Sequence, residues 1–406
     1  MRQGRAKAFS MSGRKSILLI LALGAALLGG CEPIMRDLQY SNVTSHLFPG
    51  HMDLTIGRAK VDAVKLMKSQ TYEGQVQVGD ITVHYPGGMS SQAKVIGTAF
   101  DQARTEIKDR TGITWAFSLD LYLVPVTDTS GGFRLDFPLR GRKLSLPILV
   151  MPGRDPFFLP DWSGGIAHEI TEACMLASLS RRDLVLGDYC WDGFPLVNGT
   201  RWFRDGVSDF AWDIMNTKLF GDRYQPPAWI YQELAKTREG ILDWSNCADS
   251  SGYAAAHALI IQLNDRFGPD VIARIMVAAS QERYINGGML NRAVRKATGV
   301  DLKQFLRDYK VTWLGMDLRD TRPVPDFPIL VREGNQVTIA GVYPRTPAAI
   351  WKLRSGDRLL TVDGKPVISA AWLIHYTAAH QPGDRIQVEF ERAGERHTYR
   401  MKLAVR

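Results

Sequence analysis

The chain has 406 residues, 45% hydrophobic and 23% charged, which is enough for two or three globular domains with substantial cores. Its formal charge is +8, but Arg2, Arg5, Lys7, Arg14 and Lys15 all lie in the first 30 residues, and without them +3 remains. A balance that small, with no basic stripe interleaved with aromatics, gives no basis for nucleic-acid binding.

Residues 1–30 read as an export signal. The five basic residues precede an apolar run from Ile17 to Leu28, and no acidic residue occurs before Glu32. The run is short for a membrane span. Leu28-Gly29-Gly30-Cys31 resembles a bacterial lipobox. That resemblance implies cleavage before Cys31, lipidation of its thiol, and a periplasm-facing anchor in the cell envelope, in the outer membrane rather than the inner. Cys174, Cys190 and Cys247 would then sit in an oxidising compartment with at most one disulfide among them, and their spacing selects no pair.

Residues 31–78 read as a tether and packing segment, with a helix over 56–69. A strand follows over 80–85, closed by Pro86-Gly87-Gly88. An amphipathic helix over 91–110 ends at Thr111-Gly112, and alternating runs over 117–126 and 143–151 extend the sheet. His46, His51 and His84 read as structural. Past Met151 the pattern turns helical: a helix carrying His168, a second opening after Asn198, then helices over 229–237, 252–267, 269–281, 288–297 and 302–313. Sheet first and helices after argue an α+β domain over 79–316.

Within it, Ala167-His168-Glu169-Ile170-Thr171-Glu172 is one residue short of HExxH. In that motif two His at i and i+4 bind zinc from one helical face, and the Glu deprotonates the metal-bound water. Glu172 stands where the second His would be. A carboxylate there can also bind zinc or a harder divalent metal, while weakening the field that acidifies the water. Asp205 and Asp209, again i and i+4, follow in Trp202-Phe203-Arg204-Asp205-Gly206-Val207-Ser208-Asp209-Phe210.

This ordered set resembles the gluzincin branch of zinc peptidases. The resemblance implies His168, Glu172 and Asp205 as metal ligands, Asp205 being shortened from Glu, and Glu169 as general base. Asp209 would fix the imidazole tautomer. Tyr253, in Tyr253-Ala254-Ala255-Ala256-His257, falls where the family carries its oxyanion-stabilising phenol, and equally suits a core aromatic. His257, one turn on, reads as a satisfied core histidine, with a compensating role beside the metal as the alternative.

A charged, Pro-containing linker reads over 317–326. From 327 to 406 the chain resembles a small β-rich bacterial PDZ domain, carried by Val337-Thr338-Ile339-Ala340-Gly341-Val342, Ser355-Gly356-Asp357 and Asp363-Gly364-Lys365. PDZ domains bind peptides by strand addition beside a helix, with loop amides holding the terminal carboxylate. The resemblance places that loop near Phe327-Pro328-Ile329-Leu330, with Ile329 and Leu330 as peptide-binding residues, although the stretch lacks glycine and Pro328 removes an amide. The two domains together resemble the glycyl aminopeptidase family. Two functions follow: a lipid-anchored pseudopeptidase that binds peptides or envelope proteins, which the altered motif favours, or an active metal-dependent peptidase.

Overall fold

The computed structural model describes residues 52–56, 59–115, 118–126, 130–135, 143–153, 160–180, 199–244, 250–282, 287–322 and 330–406. Expectations at Cys31, His46, His51, Cys190, Cys247 and Ile329 lie outside the described residues.

The first unit opens with a hairpin. Strands β1 (Met52–Ile56) and β2 (Ala59–Asp62) pair antiparallel, and helix α1 (Ala63–Ser69) begins only after them. The helix expected over 56–69 is therefore half strand. Asp62 sets the boundary, because its carboxylate accepts from the Val64 and Lys65 amides as an N-cap.

A four-stranded sheet follows in the order β3-β4-β5-β7, built from Gly74–Val78, Ile81–Tyr85, Ser118–Pro125 and Lys143–Val150. The first pair is antiparallel and the others parallel. A parallel neighbour needs a crossover. Helix α2 (Ser90–Thr111) supplies it between β4 and β5, burying Ala93, Ile96, Phe100, Ala103 and Ile107 at helical spacing. Gly112 then stops α2 at φ +75, a left-handed cap that a side chain would strain. Strand β6 (Ser130–Leu135) pairs with β1 rather than with this sheet.

Helices occupy the rest of the unit: α3 (Pro160–Ser180), α4 (Arg201–Phe220), α5 (Ile230–Thr237), α6 (Ser250–Phe267), α7 (Val271–Ala279), α8 (Gly287–Thr298) and α9 (Leu302–Asp308). Helix α4 is the central one, packed on α2, α3 and α6. Trp202, Phe203, Val207, Ala211 and Ile214 are buried, and so are the polar Arg201, Arg204, Asp205, Ser208 and Asp213, so the helix is enclosed around most of its circumference. Gly206 permits the α4–α6 contact, since a Cβ there would fall 2.7 Å from the Ala256 carbonyl oxygen.

The second unit has its own core, including Val337, Ile339, Leu359, Val362, Ile386, Val388, Phe390 and Met401. Its sheet runs β14-β13-β11-β10-β9, from Glu395–Lys402, Arg385–Arg392, Arg358–Val362, Val337–Val342 and Met316–Asp320, with β12 (Lys365–Pro366) on β11. Helices α10 (Pro347–Ile350) and α11 (Ala370–Ala378) belong to it. A separate pair joins β8 (Thr312–Trp313) to β15 (Ala404–Val405). These pairings move the boundary earlier than the expected linker. Residues 317–320 lie in β9, hydrogen-bonded to β10, and the helix expected over 302–313 ends at Asp308 because Thr312 and Trp313 pair with the chain's last strand. Among the described residues no helix is long and apolar enough to cross a membrane.

Candidate functional site

Helix α3 carries His168, Glu169 and Glu172, and α4 carries Asp205 and Asp209; the packing of α3 on α4 brings them together. His168 Nδ1 lies 2.8 Å from Asp209 Oδ1, and its Nε2 lies 3.6 Å from Glu172 Oε2. Donor atoms of His168, Glu172 and Asp205 all fall within 4.8 Å of one another, a span that one metal ion can bridge.

The same carboxylates are also held by two arginines of α4. Arg204 Nε is 3.1 Å from Glu172 Oε1 and donates to Asp205 Oδ1 at 3.1 Å. Arg201 Nε is 2.9 Å from Asp205 Oδ2. Arg204 and Asp205 are each 1% exposed, so this contact is made away from solvent. Sequence reasoning gave neither arginine a role. Arg201 and Asp205 are i and i+4, which was a readable signal; that Arg204 turns towards Glu172 depends on how α3 and α4 meet.

Burial penalises every charge here, and the partners decide which survive. Burial would raise Glu172, yet Arg204 and His168 hold it down to about 2. Burial pushes Asp205 up to about 6 against the pull of Arg204 and Arg201. His168 is pressed towards its neutral form by burial, but Asp209 and Glu172 carry it well above its ordinary value. Burial lifts Glu169 to about 8; His168 and Arg204 oppose the rise, and Glu172 and Asp205 add to it. The carboxylates of Glu172, Asp205 and Asp209 thus face two guanidiniums and an imidazolium, and charge cancels within the protein itself.

Tyr253 does not stand open to the cluster as a lone phenol. Its oxygen accepts from Arg201 Nη2 at 2.7 Å, its ring packs edge-on against Trp244, and the Arg201 guanidinium lies over both rings. His257 is held by Asp213. Its Nε2 lies 2.6 Å from Asp213 Oδ2, and Asp213 also accepts from the Tyr224 hydroxyl at 2.5 Å. That carboxylate, one turn beyond Asp209 on α4, explains why a buried His is retained there. Cys174 is buried.

In the second unit Leu330 is not at an open groove. It is 4% exposed, forms an antiparallel bridge with Tyr224 and belongs to the core of the helical unit. One edge strand of the sheet is β9, and the loop entering it contains Gly315 at φ +83, with α11 alongside. A glycine-containing loop before an edge strand and beside a helix therefore falls at Trp313-Leu314-Gly315-Met316, not at 327–330. The alternation of 316–320 was readable as a strand, but the charges and prolines that follow disguised it as linker.

Residues 313–403 match the family model for the PDZ domain. A 93-residue stretch is 33% identical to the "Probable periplasmic serine endoprotease DegP-like" of Pseudomonas fulva (strain 12-X), covering 23% of this chain and only 19% of that protein. Among solved structures, the HtrA-type protease AlgW with a decapeptide is 24% identical over 26% of this chain and 33% of its own, with a TM-score of 0.22. The HtrA3 PDZ domain bound to the phage-derived ligand FGRWV is 18% identical, over 23% of this chain and 86% of its own, with a TM-score of 0.19. An aminopeptidase N family protein from Idiomarina loihiensis is 12% identical and covers 82% of this chain and 67% of its own, with a TM-score of 0.39.

Proposed function

We propose that the chain is a peptide-binding protein of the bacterial envelope, lipid-anchored at Cys31, whose metallopeptidase-like unit does not cleave peptide bonds. The PDZ match over 313–403 supports peptide binding; an extended segment would add to the β9 edge beside α11. Loss of cleavage rests on one observation, the Arg204 guanidinium between Glu172 and Asp205.

The residues do not fit a divalent ion as they stand. Glu172 Oε1 and both Asp205 oxygens are already within 3.1 Å of guanidinium nitrogens. A cation among these oxygens would meet the buried positive charge of Arg204, or would have to displace it and leave a guanidinium desolvated without its partners. A peptidase of this design draws its nucleophile from metal-bound water.

The competing reading, an active peptidase with Glu169 as base, draws on the His168–Asp209 bond and the 4.8 Å convergence, both of which suit a ligand imidazole. The two are separated by selecting peptides on the full chain in detergent from a phage-displayed library with free C-termini. Each selected peptide is then incubated with the protein and zinc and examined by mass spectrometry. The proposal requires binding without cleavage. Cleavage abolished by Glu169→Gln would favour the active peptidase, and failure to select any peptide would end the peptide-binding reading.

A further inference from the structure

Helix α11 has three faces with different occupants. Leu373 and Thr377 point into its own unit, and the Thr312 hydroxyl bonds the Thr377 carbonyl. On one flank Trp372 and Tyr376 stack; Tyr376 donates to Asp363 at 2.8 Å, and Lys365 lies over its ring. That flank faces the β11–β12 turn. At 100° per residue, the opposite flank carries Ala371, Ile374 and Ala378, with His375 between it and the outer surface. This is the side that a peptide added to β9 would border.

The chain's own helical unit covers that side. Ala378 is 3% exposed and part of the helical unit's core. His375 Nε2 lies 2.6 Å from the Pro226 carbonyl, to which it donates, and its Nδ1 is 2.5 Å from the Tyr231 hydroxyl. The connection between β9 and β10 makes the same contact in backbone form. Val331 N donates to Arg223 O at 2.6 Å, beside the Tyr224–Leu330 bridge. Residues 223–231 thus meet the second unit through a strand-like bridge and a helix contact, the two kinds of contact an incoming peptide would use.

We infer that the PDZ module is held closed in cis, with residues 223–231 and an extended peptide competing for the α11 side of the groove. The inference rests on the peptide-binding reading above. It makes that binding conditional: a ligand must displace Pro226 and Tyr231 from His375, and whatever displaces them opens the module. A polar chain gives the contact a route inward, because Tyr224 also donates to Asp213, which holds His257 one turn from the Asp209 that holds His168.

The test uses the full chain and Tyr231→Phe, which lies in the helical unit and leaves the groove residues unchanged. Peptides from the library described above are titrated by fluorescence anisotropy, and hydrogen exchange is followed at the Val331 amide and along α11. Loss of one buried hydrogen bond from the closed state should tighten peptide binding about three- to tenfold. Saturating peptide should deprotect Val331 in the wild type. Leu330→Gln, on the other side of the contact, should likewise raise affinity. Equal affinities in wild type and both variants, with Val331 protected in the peptide complex, would overturn the inference and leave the peptide-binding reading intact. If none of the three proteins binds any peptide, both fall together.

Discussion

Arg204 reaches across from α4 to Glu172 on α3, with Nε 3.1 Å from Oε1, and so occupies the ground between two carboxylates where a divalent ion would be sought. A guanidinium brings one fixed charge and directional donors, whereas a metal brings two charges and an open coordination position. The Arg204–Glu172 contact joins α4 to α3.

Arg204 is therefore a structural residue in this account. Arg204→Met should destabilise the fold by about 3–5 kcal/mol at neutral pH, because Glu172 and Asp205 stay buried with less compensation. The sign with pH follows. Without Arg204 the folded pKa of Glu172 rises and that of Asp205, already raised to about 6, rises further, so the folded state binds more protons and stability recovers as pH falls. Urea denaturation at pH 7 and pH 5 checks both parts.

Restoring the missing histidine should not restore metal binding. Glu172→His leaves Arg204 in place and adds an imidazole beside it, so zinc occupancy should stay at the wild-type level. Glu172→His with Arg204→Gln removes the obstructing cation and should bind more zinc, measured by plasma emission after dialysis. A gain in the single variant equal to that in the double would show that Arg204 is not the obstacle.

Contact between the two units should weaken in acid. Burial lowers the His375 pKa, and His257 adds to this; the Pro226 carbonyl and Asp213 act in the opposite direction. The Tyr231 hydroxyl also faces the ring. Because the docked state binds the proton less well, docking is at full strength above the ordinary His value, about 6.5, and is lost as pH falls through the lowered docked value. Exchange at Val331, corrected for its intrinsic rate, should rise between pH 7.5 and 5.5 in the wild type, and the change should shrink in His375→Gln.

The α4–α6 crossing should tolerate no side chain at Gly206. Gly206→Ala places a methyl 2.7 Å from the Ala256 carbonyl oxygen and 2.8 Å from Ile260 Cγ1. Overpacking of this kind costs about 1–3 kcal/mol. The outcome is readable as a lowered midpoint of thermal unfolding, and an unchanged midpoint would mean that the helices move apart freely.

Much of the architecture was legible because it rests on periodicity. The α2 pattern, the β4, β5 and β7 runs and the helical second half of the first unit all follow from where apolar residues recur. The spacings His168-x-x-x-Glu172 and Asp205-x-x-x-Asp209 put the right groups on single helix faces. What remained hidden depends on convergence between elements. Nothing in the order of residues says that Arg204 turns to Glu172, that Asp213 rather than a metal holds His257, or that Leu330 pairs with Tyr224 instead of a peptide. The β1–β2 hairpin was missed because 56–69 suits either period until Asp62 is recognised as a cap. The groove loop was misplaced because the glycine that marks it, Gly315, precedes the stretch taken for a linker.

The metal content of the wild-type chain tests the central claim most directly. The full chain is purified without a histidine tag, equilibrated with excess zinc, dialysed against metal-free buffer and analysed by plasma emission, with the Arg204→Gln, Glu172→His protein alongside. The account predicts zinc far below one equivalent in the wild type and a clear gain in the variant. One equivalent of zinc retained by the wild type would contradict it, because Arg204 would then have yielded its place between Glu172 and Asp205 to the ion.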